Sequence, residues 1–156
     1  MPRRYRPEER EVRPDARYNS VHLQAFINRV MQRGKKSTAS TLVYDAFDLI
    51  EKRTKKSPLE TFELAIKNVA PVMEVRPRRV GGATYQVPME VSPDRRFSLA
   101  TRWLLMAAKG RPGKSFAQKL ADELMDAANN TGVAIRRRDE THKMAEANRA
   151  FSHYRV

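Results

Sequence analysis

Apolar residues recur at helical spacing through most of this chain, and the breaks in that spacing divide it into elements. Leu23, Phe26, Ile27, Val30 and Met31 form a first stripe, opened by Ser20 as cap and stopped after Arg33 by Gly34. A second stripe, Ala39, Leu42, Val43, Ala46, Phe47 and Ile50, starts near Ser37 or Thr38 and ends in basic residues from Lys52 to Lys56. Ser57-Pro58-Leu59-Glu60 opens a third helix with a cap, a first-turn proline and a capping box; Leu59, Phe62, Ala65, Ile66 and Val69 face inward and Pro71 ends it. Ser92-Pro93 repeats the cap-and-proline start before Phe97, Leu99, Ala100, Trp103, Leu104, Ala107 and Ala108. A fifth helix opens at Ser115 or the residue before it and carries Ala117, Leu120, Ala121, Leu124, Met125 and Ala128. The sixth begins between Val133 and Asp139 and reaches about Ser152. Its stripe, Met144, Ala147 and Phe151, is weak, and this predicts a helix partly detached from the core.

Between the third and fourth stripes the period changes. The run Val72 to Ser92 is rich in Val, Met, Tyr and Thr, with Gly81-Gly82 near its middle, the pattern of a hairpin with a tight primed turn. A two-residue loop pairs Val80 with Ala83, Arg78 with Tyr85, Pro77 with Gln86 and Val75 with Pro88. Both prolines then fall in open pairs, where no ladder donor is missed. The ribbon, predicted over about 73–91, protrudes and needs support from a third element or a partner. One face carries Arg76, Arg78 and Tyr85; Arg79 and Thr84 lie on the other.

Residues 1–18 show no period at all. Three prolines, six arginines and four acids predict an extended arm, and 19–156 form a single helical domain. The fold class is mainly α: a six-helix bundle with one protruding two-stranded β-hairpin and an extended N-terminal arm.

Charge sharpens the picture. The chain has 31 Lys plus Arg against 18 Asp plus Glu, a net charge of +13, and an isoelectric point near 10.5. A polyanion is the natural partner, ahead of a membrane surface. Arg3, Arg4 and Arg6 around Tyr5 make a basic-aromatic cluster of the kind that orders on RNA, and His153-Tyr154-Arg155 makes another. Arg95, Arg96 and Arg102 share the fourth helix; the first two sit in its opening turn, against the helix dipole, which points to an external anion. Lys109, Arg111, Lys114 and Ser115 belong to a basic loop.

Catalytic chemistry is missing. The run from Ala108 to Ser115 ends in Gly-Lys-Ser like a phosphate-binding loop, but Ala108 replaces the first glycine and a helix precedes it instead of a strand. His22, His142 and His153 have no metal-ligand spacing and read as solvated surface residues; Asp122, Glu123 and Asp126 fit the outer face of a helix. With no cysteine there is no thiol or disulfide chemistry. No enzyme, cofactor or metal is expected, no apolar run reaches a membrane span, and a cytoplasmic location follows.

Three segments together resemble the bacterial small-subunit ribosomal protein seven family: Phe26-Ile27-Asn28 with Gly34-Lys35-Lys36, the run Met73 to Ser92 with its Arg78-Arg79-Val80-Gly81-Gly82 core, and Met144 to Ala150. The resemblance covers nearly the whole chain and implies a helical domain with a protruding hairpin. It also implies direct binding to the three-prime major domain of small-subunit ribosomal RNA and a part in starting assembly of the subunit head. By resemblance the RNA contacts are the N-terminal arm (Arg3, Arg4, Arg6, Arg10), Lys35 and Lys36, the hairpin (Arg76, Arg78, Arg79), the fourth helix (Arg95, Arg102) and the loop Lys109, Arg111, Lys114 and Ser115. The tip Val80, Gly81, Gly82, Ala83 and the C-terminal Arg149 and Tyr154 fall nearest the exit-site tRNA and the mRNA, with neighbouring small-subunit protein eleven across the cleft. Repression of its own operon's messenger belongs to only part of that family. Without the resemblance, the residues alone leave two other readings open: an architectural DNA-binding protein with a basic β-arm, and a helical adaptor whose charge is incidental.

Overall fold

The structure, a computed structural model, describes residues 11–154. Six α-helices and one hairpin follow each other as α1 (Val21–Val30), α2 (Lys36–Thr54), α3 (Pro58–Val69), β1 (Met73–Val80), β2 (Ala83–Glu90), α4 (Pro93–Gly110), α5 (Phe116–Ala128) and α6 (Val133–Ala147), closed by a 3-10 turn, Arg149–Tyr154. α5 is central, packing on α2, α3 and α4. The reason lies in its composition: Ala117, Ala121 and Ala127 let neighbouring helices come close, while Leu120 and Leu124 fill the space between them, all buried. Phe26, Phe47 and Phe62 are fully buried and meet as tilted rings, with Phe62 lying 5.2 Å from Phe26 and 5.9 Å from Phe47. Truncating any one of them costs about 3–5 kcal/mol.

Local signals set the helix ends. The Ser20, Ser57 and Ser115 hydroxyls each accept the N–H three residues on, from Leu23, Glu60 and Gln118. Ser92 departs from expectation. It makes no side-chain cap bond, and Pro93 alone marks the start of α4. α6 also differs. Its buried residues are Ala134, Ile135, Thr141 and Ala145, whereas Met144 is exposed. The face it buries is partly polar because it lies on the root of the hairpin as well as on the bundle: the Val72 N–H donates to His142 Nε2 at 3.1 Å. His142 is therefore a structural acceptor rather than a solvated surface histidine, and burial, then the Arg138 charge, lowers its pKa.

The hairpin register pairs Val80 with Ala83, Arg78 with Tyr85, Pro77 with Gln86 and Val75 with Pro88, as the prolines require. Gly81 and Gly82 sit at φ +58° and +86°, the two positive values of a primed turn. Both strands are exposed around the tip, while Glu74, Val87 and Pro88 are buried at the root. Support comes from α6 against β1 and from the 3-10 turn against β2, where the Phe151 and Tyr85 rings lie 5.4 Å apart.

Residues 15–18, counted with the arm on sequence grounds, are docked on α2. Buried Asp15 accepts from the N–H of Arg17 and of Tyr18, and Tyr44 Oη donates to it at 2.6 Å. Tyr18 packs edge-on against Phe47. An Asx-type turn gives this segment its fixed shape.

Candidate nucleic-acid interface

The turn between α1 and α2, the end of α4 and the start of α5 enclose a cleft of about 390 Å³. The turn is tight, with the Lys35 N–H donating to the Gln32 carbonyl at 3.1 Å. Arg29, Arg33, Lys35 and Lys109 line the cleft over an apolar floor that includes Leu105 and Phe116, and no carboxylate is among its lining residues. Arg29 is fixed in place, donating to the Ser98 carbonyl at 3.0 Å and to its hydroxyl at 3.2 Å. Burial, then the Arg102 charge, lowers the Arg29 pKa, which puts a fifth cation near the same site. Like charges gathered without a counter-ion create a positive potential that an external anion relieves. The apolar floor beneath them suits a nucleobase as well as a phosphate.

Several of the expected RNA contacts do other work. Glu74, buried at the hairpin root, accepts from Arg76 Nε at 2.6 Å and from Arg95 Nε at 2.7 and 2.9 Å. Burial alone raises the Glu74 pKa, but bonds to Arg95 and Arg76 outweigh it and hold the carboxyl below its ordinary value. Arg96 donates to the Val91 carbonyl at 2.8 Å and to Glu90 at 3.2 Å. The two arginines at the start of α4 thus meet internal acids, so their position against the helix dipole is no sign of an external anion.

Arg111 differs in the same way. Its Nε donates to Glu123 Oε2 at 2.6 Å, and its other end bonds Asp126. Glu123 is fully buried, not on an outer helix face. Its second oxygen accepts the Ala134 N–H at 3.0 Å and so caps α6, whose own cap position, Gly132, has no side chain. Glycine suits position 132 because φ there is +99°, which L side chains rarely adopt, and a Cβ would also press to 3.2 Å from that carboxylate.

Of the remaining expected positions, Lys36, Arg79, Arg102 and Lys114 are exposed, and Lys36 begins α2 beside the cleft. Ser115 is spent as the cap of α5, with the Gln118 N–H donating to its hydroxyl at 3.3 Å. Arg78, Arg79 and the tip Val80–Ala83 lie far along the ribbon, while Arg149 lines a separate cleft at the hairpin root with Val72 and His142. Tyr154 ends the 3-10 turn. Arg3, Arg4, Arg6 and Arg10 lie outside the described residues. Sequence reasoning missed Arg29 and Arg33. Arg33 sits directly before Gly34, and a turn rich in cations was the available signal; Arg29 lines the same cleft one helical turn earlier and is held there by its distant bond to Ser98.

The family model described as "Ribosomal protein S7p/S5e" matches residues 2–149. The chain is similar to the "Small ribosomal subunit protein uS7" of Chloroflexus aurantiacus (strain ATCC 29366 / DSM 635 / J-10-fl), 61% identical over 154 residues that cover 99% of this chain and 98% of the relative. The protein of that name from Roseiflexus sp. (strain RS-1) is 63% identical over 154 residues, with 99% and 98% covered. The one from Thermomicrobium roseum (strain ATCC 27502 / DSM 5159 / P-2) is 59% identical over 155 residues, covering 99% of both chains.

Proposed function

The chain belongs to the ribosomal protein S7p/S5e family, and from that premise we propose that it binds small-subunit ribosomal RNA chiefly through the cleft of Arg29, Arg33, Lys35 and Lys109. It is a structural protein of the small ribosomal subunit in the cytoplasm and not an enzyme. The observation that carries the RNA reading is the set of cations lining one cleft with no acid in the lining. RNA phosphates supply the missing counter-charge, and Lys36, Arg102 and Lys114 on the adjoining surface extend the footprint. On this reading the bound RNA is the three-prime major domain, binding helps start assembly of the subunit head, and the N-terminal arginines join the footprint. Arg76, Arg95 and Arg111 serve instead to hold the hairpin and loop in register. The tip Val80–Ala83 then reaches toward the exit-site tRNA, the mRNA and protein eleven, with the C-terminal turn behind it. The architectural DNA-binding reading finds no support in the family.

Salt titration tests this. Replacing Arg33, Lys35 and Lys109 with Ala removes three contacts, and the slope of log affinity against log salt for a three-prime-domain RNA fragment falls by roughly 2 to 3. Duplex DNA at matched salt binds more weakly throughout. An unchanged slope in a folded triple variant rejects the cleft as the RNA site.

A further inference from the structure

α4 and α6 enclose a second groove, of about 480 Å³, beside the basic face but different in character. Met106 stands on the α4 side above Trp103, and Val133 with Arg136, Arg137 and Glu140 stand on the α6 side. Met106 is 56% and Val133 53% exposed, the two most exposed large apolar side chains among the described residues. Exposed apolar side chains that converge on one groove mark an interaction surface. Trp103 is only 8% exposed and forms the floor, so its ring offers no open face on which a base could stack.

The charges decide what fits. Arg137 pairs with Glu140 at 3.1 Å, and Arg111, at one end, is neutralised by Glu123 and Asp126. Arg136 alone among the rim arginines has no acidic partner among the described residues. A phosphate backbone entering here meets the Glu140 carboxylate, whose side chain is 60% exposed, and gains a single cation. The Lys35–Lys109 cleft offers RNA far more. A polypeptide suits this groove better, with apolar side chains on Met106 and Val133 and one carboxylate on Arg136.

We propose that this groove docks a segment of a neighbouring protein of the small subunit, one that presents apolar residues next to an acidic residue. The contact is separate from the RNA footprint and stands whether or not the basic cleft binds RNA.

A photoreactive benzoylphenylalanine at position 106 tests it, since an exposed site tolerates the ring. The substituted chain is assembled into small subunits, its incorporation is measured, and the subunits are irradiated and digested with and without ribonuclease. The expected product is a ribonuclease-resistant crosslink to one protein segment with an Asp or Glu beside the captured apolar residue. That segment, synthesised as a peptide, should shift the emission of Trp103, the chain's single tryptophan. Met106→Glu should weaken peptide binding more than about tenfold by removing an apolar contact, and Arg136→Glu should weaken it about threefold to fivefold. A crosslink to RNA alone, or no crosslink in subunits that have incorporated the protein, overturns the proposal. So does a peptide that binds both variants as well as the parent.

Discussion

At the basic cleft, Arg33, Lys35 and Lys109 stand together with no carboxylate in the lining, whereas at the hairpin root Arg76 and Arg95 close on one buried acid, Glu74. The side chains are all cationic, and their local sequences do not tell them apart: Arg33 and Lys35 flank a turn, Lys109 ends α4, Arg95 begins it, and Arg76 lies in β1. What separates them is an acid brought from elsewhere in the chain. A cation with an internal carboxylate spends its charge on holding the fold, and a cation without one keeps it for a ligand. Arg111 extends the contrast. It lies between Lys109 and Lys114 in a loop of uniform appearance, yet Glu123 and Asp126 draw it inward.

The largest expected effect comes from breaking that inward pair. Arg111→Ala leaves fully buried Glu123 without its cation, and the loss should be about 3 kcal/mol, with Asp126 and the Ala134 N–H softening the change. For a domain of this size the melting temperature should fall by roughly 6–12 °C. The slope of RNA affinity against salt should stay at its parent value, opposite to the cleft triple variant, which melts close to the parent and loses slope. If Arg111→Ala melts normally and flattens the slope, Arg111 faces RNA and the division between the two groups fails.

A smaller effect should follow pH at the hairpin root. The folded-state pKa of Glu74 lies below its ordinary value, so its contribution is fully present above the ordinary carboxylate value and is lost as pH falls through the folded one. Glu74→Gln should cost about 1 kcal/mol at neutral pH, a modest amount because both arginines are nearly half exposed. The gap between the two melting curves should close on acidification. A gap that stays constant with pH would show that packing at the root, and not the ion pair, is what the substitution removed.

Most of the fold was legible because its signals are local. Gly81-Gly82 and two prolines fixed a register over sixteen strand residues, and Ser20, Ser57 and Ser115 marked helix starts within one turn. The roles of Arg111, Arg95 and Arg29 were not legible, because their partners lie well away in sequence; Arg76, two residues from Glu74, is the exception. Glu123 lies 12 residues from Arg111, Glu74 lies 21 from Arg95, and Ser98 lies 69 from Arg29. Helical spacing placed Glu123 outward only because nothing nearby announced a cation to bury with it. The α6 stripe of Met144, Ala147 and Phe151 misled for a related reason: the surface α6 covers includes a hairpin root with a backbone donor, so the helix turns half-buried His142 toward it and leaves Met144 exposed. Arg3, Arg4, Arg6 and Arg10 lie outside the described residues, and their part in the footprint rests on the basic-aromatic sequence around Tyr5 and on the family.

The smallest effect on binding is expected farthest from both groups, at the hairpin tip. Gly81 and Gly82 hold φ of +58° and +86° with nothing within 4 Å of a Cβ built on either, so only backbone strain opposes a side chain there. Valine tolerates those angles poorly, and replacing both should splay the turn. The disturbance should stop short of the root, where Tyr85 packs on Phe151 and the Val72 N–H is held by His142. The melting temperature should therefore move by no more than about 2 °C. RNA affinity should stay near the parent's, because the cleft cations are untouched. What should change is whatever the tip approaches, which on the proposed reading is the exit-site tRNA and protein eleven. Incorporation into small subunits, followed by quantitative mass spectrometry, should be near normal, while a frameshift reporter should record altered reading-frame maintenance. If the folded Val-Val protein is left out of the subunits, the tip belongs with the assembly contacts, and its separation from the cleft is wrong.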